Sequence, residues 1–206
     1  VNDYVDCGSD SSLDNIFDGG GTISAWIYPE SDGEGDEGRI VDKRDDGTGF
    51  VIHVRDESGG ACGLKVFQNY STTSGQYILA SRDITIGEWN HIAITYDTSG
   101  SGSSYRPTIY VNGDSKALTI SADSSGSYTT DETENFIIGN TEGGIRTFDG
   151  SIANVSIHSS ALTQQQIQEL MFTEKYAGLS ADLKTNLVSW YDMGSTSLGS
   201  ELVTNG

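Results

Sequence analysis

The sequence has little proline, little cysteine and little positive charge. Its 206 residues include two prolines, two cysteines and 11 lysines and arginines, against 30 aspartates and glutamates. The resulting net charge of −19 repels nucleic acid and anionic membrane surfaces, because both bind proteins through basic patches. No apolar run approaches the length of a membrane span. We therefore expect no nucleic-acid partner and no membrane insertion.

The signatures of common catalytic and metal sites are missing as well. Cys7 and Cys62 lie too far apart in the sequence for a C-x-x-C motif, and the sequence leaves open whether they form a disulfide or two thiols. The three histidines, at positions 53, 91 and 158, belong to no nucleophile elbow and to no H-x-x-x-H motif. The sequence therefore gives no positive indication of these classes of enzyme.

Glycine and short alternating segments are abundant instead. There are 26 glycines, and the 9% of aromatic residues argues against disorder. Turn residues bound a series of segments with strand periodicity, at 3–7, 21–29, 38–44, 49–55, 63–69, 76–82, 89–97, 107–113, 116–120, 135–140 and 147–158. Within 89–97, Ile92, Ile94 and Tyr96 share one face. This pattern predicts an all-β fold, an antiparallel sandwich of two sheets.

Local signals predict a hairpin and a late helix. Asn112 and Gly113 form a typical hairpin turn, because both residues tolerate the positive φ angles that the turn needs. The segment 162–176 has apolar residues at helical spacing, and Thr163 with Gln166 matches a capping box at its start. We expect one short C-terminal helix after the strands.

Several segments match, in order, the pattern of one known family. "WNHIAITYD" followed by "PTIYVNGD" is similar to two neighbouring strands of the laminin G-like family of concanavalin A-like jelly rolls, and these segments are the core of the resemblance. "NDYVDCGSDSSLD" and "GTISAWIYPES" resemble its opening strands, and "FDGSIANVSIHSSALTQQQIQEL" resembles its closing strand and helix. The family's usual acidic pair in the closing strand is replaced here by Ala153 and Asn154.

The resemblance implies a jelly-roll sandwich in residues 1–171. The tail "TNLVSWYDMGS" resembles the lead-in to a further laminin G-like unit, as found in tandem in phage and bacterial surface proteins. We therefore expect residues 172–206 to be a linker and the start of a following module, within a longer chain. The alternative is that this segment packs back on the sandwich through Trp190 and Tyr191.

The resemblance also implies a structural calcium ion and a carbohydrate site. Family members often bind one calcium, and Asp3, Asp6 and Asp149 are the expected ligands, because the first and last strands are usually adjacent. Carbohydrate binding needs exposed aromatic rings with polar neighbours. Trp26 and Trp89 match core positions of the family. The expected carbohydrate contacts are the tyrosines of the Gly/Ser-rich loops, Tyr70, Tyr105 and Tyr128.

One acidic motif admits a catalytic interpretation. Glu30, Asp32 and Glu34 fit the E-x-D-x-E pattern of jelly-roll glycosidases, but the intervening serine and glycine after Pro29 are typical of a loop. We therefore expect no catalysis. We expect a surface module of a larger extracellular or virion protein, which serves in adhesion, by recognising a glycan or a cell-surface receptor, or in display on the surface. The alternatives are a purely structural capsid or fibre component, packed against other virion subunits, and a jelly-roll glycoside hydrolase.

Overall fold

A computed structural model describes residues 3–97 and 105–193 of the chain. Fourteen strands and two short α-helices form there. The strands are β1 (Val5–Asp6), β2 (Gly21–Pro29), β3 (Arg39–Lys43), β4 (Phe50–Ser58), β5 (Ala61–Gln68), β6 (Gly75–Leu79), β7 (Ile84–Thr85), β8 (Asn90–Tyr96), β9 (Thr108–Val111), β10 (Asp114–Ser115), β11 (Leu118–Ala122), β12 (Ile137–Ile138), β13 (Gly150–His158) and β14 (Leu187–Tyr191). The helices are α1 (Gln164–Met171) and α2 (Ala181–Thr185).

The strands form two antiparallel sheets, as the sequence predicts. The large sheet has eight strands in the order β1-β12-β3-β4-β5-β6-β11, with β7 paired to β5. The small sheet has six strands in the order β10-β9-β8-β2-β13-β14. The prediction of a two-sheet jelly-roll sandwich is confirmed. Within the described residues, no helix is long and apolar enough to cross a membrane.

The main core lies between the two sheets and follows the alternation of the strands. In β8, Ile92, Ile94 and Tyr96 point into it, as expected from the period of two, and Ala93 points the other way. In β5, Leu64 and Val66 enter the same core. Both cysteines are free thiols, which answers the question that the sequence left open.

The predicted hairpin and helix start are both present. Asn112 and Gly113 have φ angles of 52° and 79°, and they join β9 to β10. At α1, the Thr163 side chain accepts a hydrogen bond from the Gln166 amide, and the Gln166 side chain accepts one from the Thr163 amide. The capping box is therefore complete.

The C-terminal segment corrects the expected domain boundary in its described part. Residues 172–193 are not a linker: α2 packs on the outer face of the small sheet, and β14 extends that sheet by pairing with β13. A second apolar cluster forms there, with Leu170, Leu183 and Trp190 among its buried members. The structure therefore has the alternative, in which the segment packs back through Trp190, and it covers Ala93 and Tyr110 on this face of the sheet. Residues 194–206 lie outside the described residues.

Candidate ligand-binding pocket

The three tyrosines predicted as carbohydrate contacts surround one pocket. Tyr70 lies two residues after the end of β5, Tyr105 precedes β9, and Tyr128 lies in the loop between β11 and β12. An isolated antiparallel bridge joins the backbones of Tyr70 and Tyr128, and the Ser71 amide donates to the Ser127 carbonyl oxygen at 2.9 Å. Two loops that are distant in the sequence are therefore held side by side. The pocket measures about 290 Å³ and is lined by Asp18, Tyr70, Tyr105, Ser124, Gly126, Ser127 and Tyr128.

The tyrosine rings pack edge to face around Tyr70. Its ring centroid lies 5.9 Å from that of Tyr105 and 6.0 Å from that of Tyr128, with interplanar angles of 83° and 88°. This arrangement is favourable for aromatic rings and keeps them from rotating freely. Tyr105 and Tyr128 are partly exposed, so ring surface remains available to a ligand in the pocket.

The Tyr70 hydroxyl is buried and has no hydrogen-bond partner among the described residues. Only 8% of this residue is exposed. The Ser124 side chain lies close to it but accepts its hydrogen bond from the Tyr77 hydroxyl, at 3.1 Å. Burial raises the pKa of Tyr70, and the neighbouring Tyr77 and Tyr105 raise it further, so the hydroxyl keeps its proton. A polar ligand in the pocket can pair with this hydroxyl once a small movement of the Tyr70 side chain uncovers it.

A buried ionic network supports Tyr128 from behind. The Tyr128 hydroxyl donates to Asp131 Oδ2 at 2.5 Å, and Asp131 Oδ1 lies 3.3 Å from the ammonium group of Lys43. Lys43 is completely buried on β3 and donates to the carbonyl oxygens of Asp131 and Glu134 at 2.6 and 2.7 Å. Its fourth oxygen neighbour is Asp14 Oδ1, at 3.2 Å. This charge anchors the loop that carries Tyr128.

No pattern in the sequence indicates this network. Lysine and aspartate are common surface residues, and nothing in the order of residues around Lys43 and Asp131 indicates that both are buried. Their pairing depends on the distance in space between β3 and the 124–135 loop.

The expected calcium ligands are only partly together. Asp3 and Asp149 line one open cleft of about 740 Å³, together with Glu34. Asp6 is not among the lining residues, and its carboxylate accepts hydrogen bonds from the Gly8 amide and the Asn135 side chain. The expected adjacency of first and last strands is wrong, because β1 pairs with β12 in the large sheet and β13 lies in the small sheet.

The part of the chain described here holds no group of three His, Cys, Asp or Glu side chains arranged to bind a metal ion. Calcium can also take backbone carbonyl oxygens as ligands, and Asp149 already accepts a hydrogen bond from Ser31 at 2.7 Å. Calcium binding at Asp3 and Asp149 stays a prediction.

The acidic motif at 30–34 lies in a loop, as its composition predicts. Glu30 and Glu34 are exposed, and Asp32 accepts a hydrogen bond from the Glu57 amide at 2.9 Å. Glu34 accepts hydrogen bonds from the amide and hydroxyl of Thr147. The carboxylates are therefore engaged in holding loops together.

The histidines are buried in strands. His91 and His158 belong to a row of polar side chains on the outer face of the small sheet, in which Ser24 lies 3.4 Å from His91 Nε2 and 3.3 Å from the Ser156 hydroxyl. Ser156 in turn lies 3.3 Å from His158 Nε2. Burial lowers the pKa of both imidazoles to about 4, so both are neutral. This row lies beneath the C-terminal segment and is closed to substrates.

The expectation that Trp89 packs in the core is wrong. Trp89 precedes β8 and is 47% exposed, and Trp26, on the outer face of β2, is partly exposed. Together with Phe172, which is 79% exposed, they line a groove of about 390 Å³. The sequence pattern missed this groove because Trp89 stands one residue outside the strand and Phe172 stands just after α1.

The two antiparallel sheets form a jelly-roll sandwich with the pocket in its loops. Residues 1–168 match a laminin G-like family of the concanavalin A-like lectin/glucanases superfamily. The chain belongs to this family. No curated protein matches the chain.

Solved structures with the same fold include several binding proteins. A putative carbohydrate binding protein from Bacteroides ovatus matches with a TM-score of 0.56 and 22% identity, over 88% of this chain and 48% of that one. The CBM40 of Ruminococcus gnavus IT-sialidase, bound to α2,3 sialyllactose, matches with a TM-score of 0.54 and 13% identity, over 82% and 96%. A heptameric SAP-like pentraxin from Limulus polyphemus matches with a TM-score of 0.54 and 16% identity, over 74% and 70%. The chain thus spans about half the length of the Bacteroides protein.

Proposed function

We propose that this chain is a non-catalytic binding module that recognises a carbohydrate through the tyrosine pocket. The observation that carries the proposal is the convergence of Tyr70, Tyr105 and Tyr128 on one pocket, with the Tyr70 hydroxyl buried and unpaired. Aromatic ring surface beside a few polar groups is what a sugar ring requires. The family membership and the carbohydrate-binding proteins of the same fold are consistent with it, by analogy of fold.

The setting that fits this role is the surface of an extracellular or virion protein. The net charge of −19 keeps the module soluble and away from nucleic acid. A calcium ion at Asp3 and Asp149 would have a structural role, in tying the 147–150 segment to the N-terminal strand. A glycoside hydrolase is the weaker alternative, because the carboxylates of Asp32 and Glu34 accept hydrogen bonds from neighbouring loops.

A second candidate function is packing against other subunits of a capsid or fibre. The groove of Trp26, Trp89 and Phe172 favours it, because exposed apolar surface of this kind is typical of protein interfaces. The native mass of the chain tests this candidate: a defined oligomer that dissociates in Trp89→Ser would support it, and a monomer at all concentrations would contradict it.

The experiment for carbohydrate recognition is a glycan array, run with calcium and with chelator. The parent chain is compared with Tyr105→Ala and with Tyr4→Ala, which removes an exposed tyrosine outside the pocket. We expect saturable binding that is lost in Tyr105→Ala and kept in Tyr4→Ala. Binding that is equal in all three proteins would exclude the tyrosine pocket. If the folded parent chain binds no glycan on the array, with or without calcium, the proposed function is contradicted.

A further inference from the structure

The outer face of the large sheet concentrates positive charge in an otherwise acidic chain. In β4 and β5, Val54 and Leu64 point into the core, so the neighbouring Arg55 and Lys65 point outward. Five of the 11 basic residues lie on or beside this face, which we call the basic face: Arg39, Arg44, Arg55, Lys65 and Arg146.

Strand pairing arranges the central part of this face. Arg39 on β3 pairs with His53 on β4, and His53 pairs with Lys65 on β5. Burial lowers the pKa of His53 to about 3, and the nearby positive charges of Arg39 and Lys65 lower it further. The histidine is therefore a neutral spacer between two cations. The pKa of Lys65 is lowered by burial and by Arg55, which indicates a positive local potential.

The cations of the basic face divide into paired and unpaired groups. Three of them have carboxylate partners: Arg39 lies 3.2 Å from Asp42, Arg55 lies 2.5 Å from Asp56, and Arg146 lies 3.3 Å from Glu37. Lys65 and Arg44 are in no ion pair with another described residue. Both lie against the half-buried ring of Phe67, with Arg44 Cζ 5.1 Å and Lys65 Nζ 5.9 Å from its centroid.

The two cations are held in place by one aromatic ring, while Glu37 and Asp42 act on Lys65 and Arg44 from beyond ion-pair distance. The ring attracts both through its quadrupole and restricts their side chains, so less entropy is lost when they bind an anion. Arg44 is exposed and Lys65 is partly exposed, so both can reach a ligand.

We propose that the basic face binds the carboxylate or sulfate of an acidic saccharide, with Lys65 and Arg44 as its direct contacts. The choice of a saccharide rests on the proposed function, and the choice of an acidic one rests on these two cations. The rest of this very acidic chain repels anions, so binding is confined to the face where the local charge is positive.

The basic face and the tyrosine pocket lie along the same strand. Lys65 and Phe67 are on β5, and Tyr70 follows its end, so Lys65 and Tyr70 are separated by about 16 Å of extended chain. Arg44 is next to Lys43, which anchors the loop of Tyr128. Tyr70 lies close to Tyr96 of the core, whereas Lys65 points outward, so the basic face and the tyrosine pocket are separate sites.

The test uses an array of paired glycans, in which sialylated, uronate-containing and sulfated members are compared with their neutral parents. The variants are Lys65→Gln and Arg44→Gln, and the matched control is Lys175→Gln, which removes an exposed cation elsewhere. We expect the acidic members to be preferred, with affinity at least about tenfold weaker in Lys65→Gln and Arg44→Gln and unchanged in the control. Added salt should weaken binding to the acidic members more than to the neutral ones.

Equal binding of acidic and neutral members, or equal affinity of Lys65→Gln and the control, would overturn the inference. If neutral glycans bind and only the tyrosine variants lose them, the proposed function stands and this inference fails. If no glycan on the array binds, the protein is titrated with glucuronate and with sodium sulfate while its amide NMR signals are followed. This titration tests whether the basic face binds an acidic sugar. Glucuronate shifts confined to β3, β4 and β5 at lower concentration than sulfate support an acidic-sugar site. No shift there, or shifts as strong with sulfate alone, contradict it.

Discussion

Lowering the pH from 7 to 5 is expected to destabilise the fold through His91 and His158. Both imidazoles are fully buried and neutral, and burial lowers the pKa of each from 6.5 to about 4. In the unfolded chain both histidines take up protons below pH 6.5. A group whose pKa is depressed in the folded state contributes stability above its unfolded pKa and loses it as the pH falls toward its folded pKa.

The size of the effect follows from the shift. Between pH 6.5 and pH 5 the unfolded histidine is mostly protonated while the folded one is still neutral, which costs about 1.4 kcal/mol per pH unit. Each histidine therefore removes about 2 kcal/mol from the free energy of unfolding by pH 5. Asp42 acts in the opposite direction, because burial raises its pKa to about 6 and its contribution grows as the pH falls.

Urea denaturation at pH 7 and pH 5, for the parent chain and for His158→Gln, separates these contributions. Glutamine keeps a nitrogen near the position of Nε2, which lies 3.3 Å from the Ser156 hydroxyl, but it does not titrate. We expect the parent to lose about 2 kcal/mol more than the variant between the two pH values, since all other groups are common to both. Equal losses in the two proteins would refute the account of a neutral buried histidine.

The remaining predictions concern the backbone, the ionic network and the thiols. In thermal unfolding, Gly113→Ala should lower the free energy of unfolding by about 1–2 kcal/mol, because φ is 79° and the new Cβ would lie 2.9 Å from Gln168 Cγ. The control Gly143→Ala, which has open space around it, should have little effect in the same assay. Asp131→Asn should cost about 1.5–3 kcal/mol in urea denaturation, because it removes one of the two carboxylates that face the buried ammonium of Lys43 and leaves only Asp14, and no measurable loss would contradict the network. The thiols of Cys7 and Cys62, whose pKa burial raises to about 11 and 12, should react with iodoacetamide at pH 8 much more slowly in the folded chain than in urea.

The features predicted well from the sequence are those that depend on neighbouring residues. The alternation of Ile92, Ile94 and Tyr96 places β8, and the positive φ tolerance of Asn112 and Gly113 places the hairpin. The capping box of α1 is local in the same way. The three loop tyrosines singled out in the sequence line one pocket, and their contact with a carbohydrate stays a prediction.

The features that sequence reasoning missed depend on contacts between distant segments. Nothing local indicates that β14 would pair with β13, that Lys43 would be buried against Asp131, or that Trp89 would stay exposed. The basic face is a further example, since its five cations are scattered over more than a hundred residues of a chain with net charge −19. Strand pairing alone brings them together.

The most direct test of carbohydrate recognition in the tyrosine pocket is the affinity of Tyr70→Phe for the best glycan of the array, measured by calorimetry beside its stability. The change removes one hydroxyl that has no partner among the described residues, so the fold should be as stable as the parent or slightly more stable. We expect affinity to fall by about tenfold, because the ligand loses the hydroxyl that it satisfies. Unchanged affinity in a stable Tyr70→Phe protein would contradict the account, and would place the carbohydrate elsewhere on the molecule.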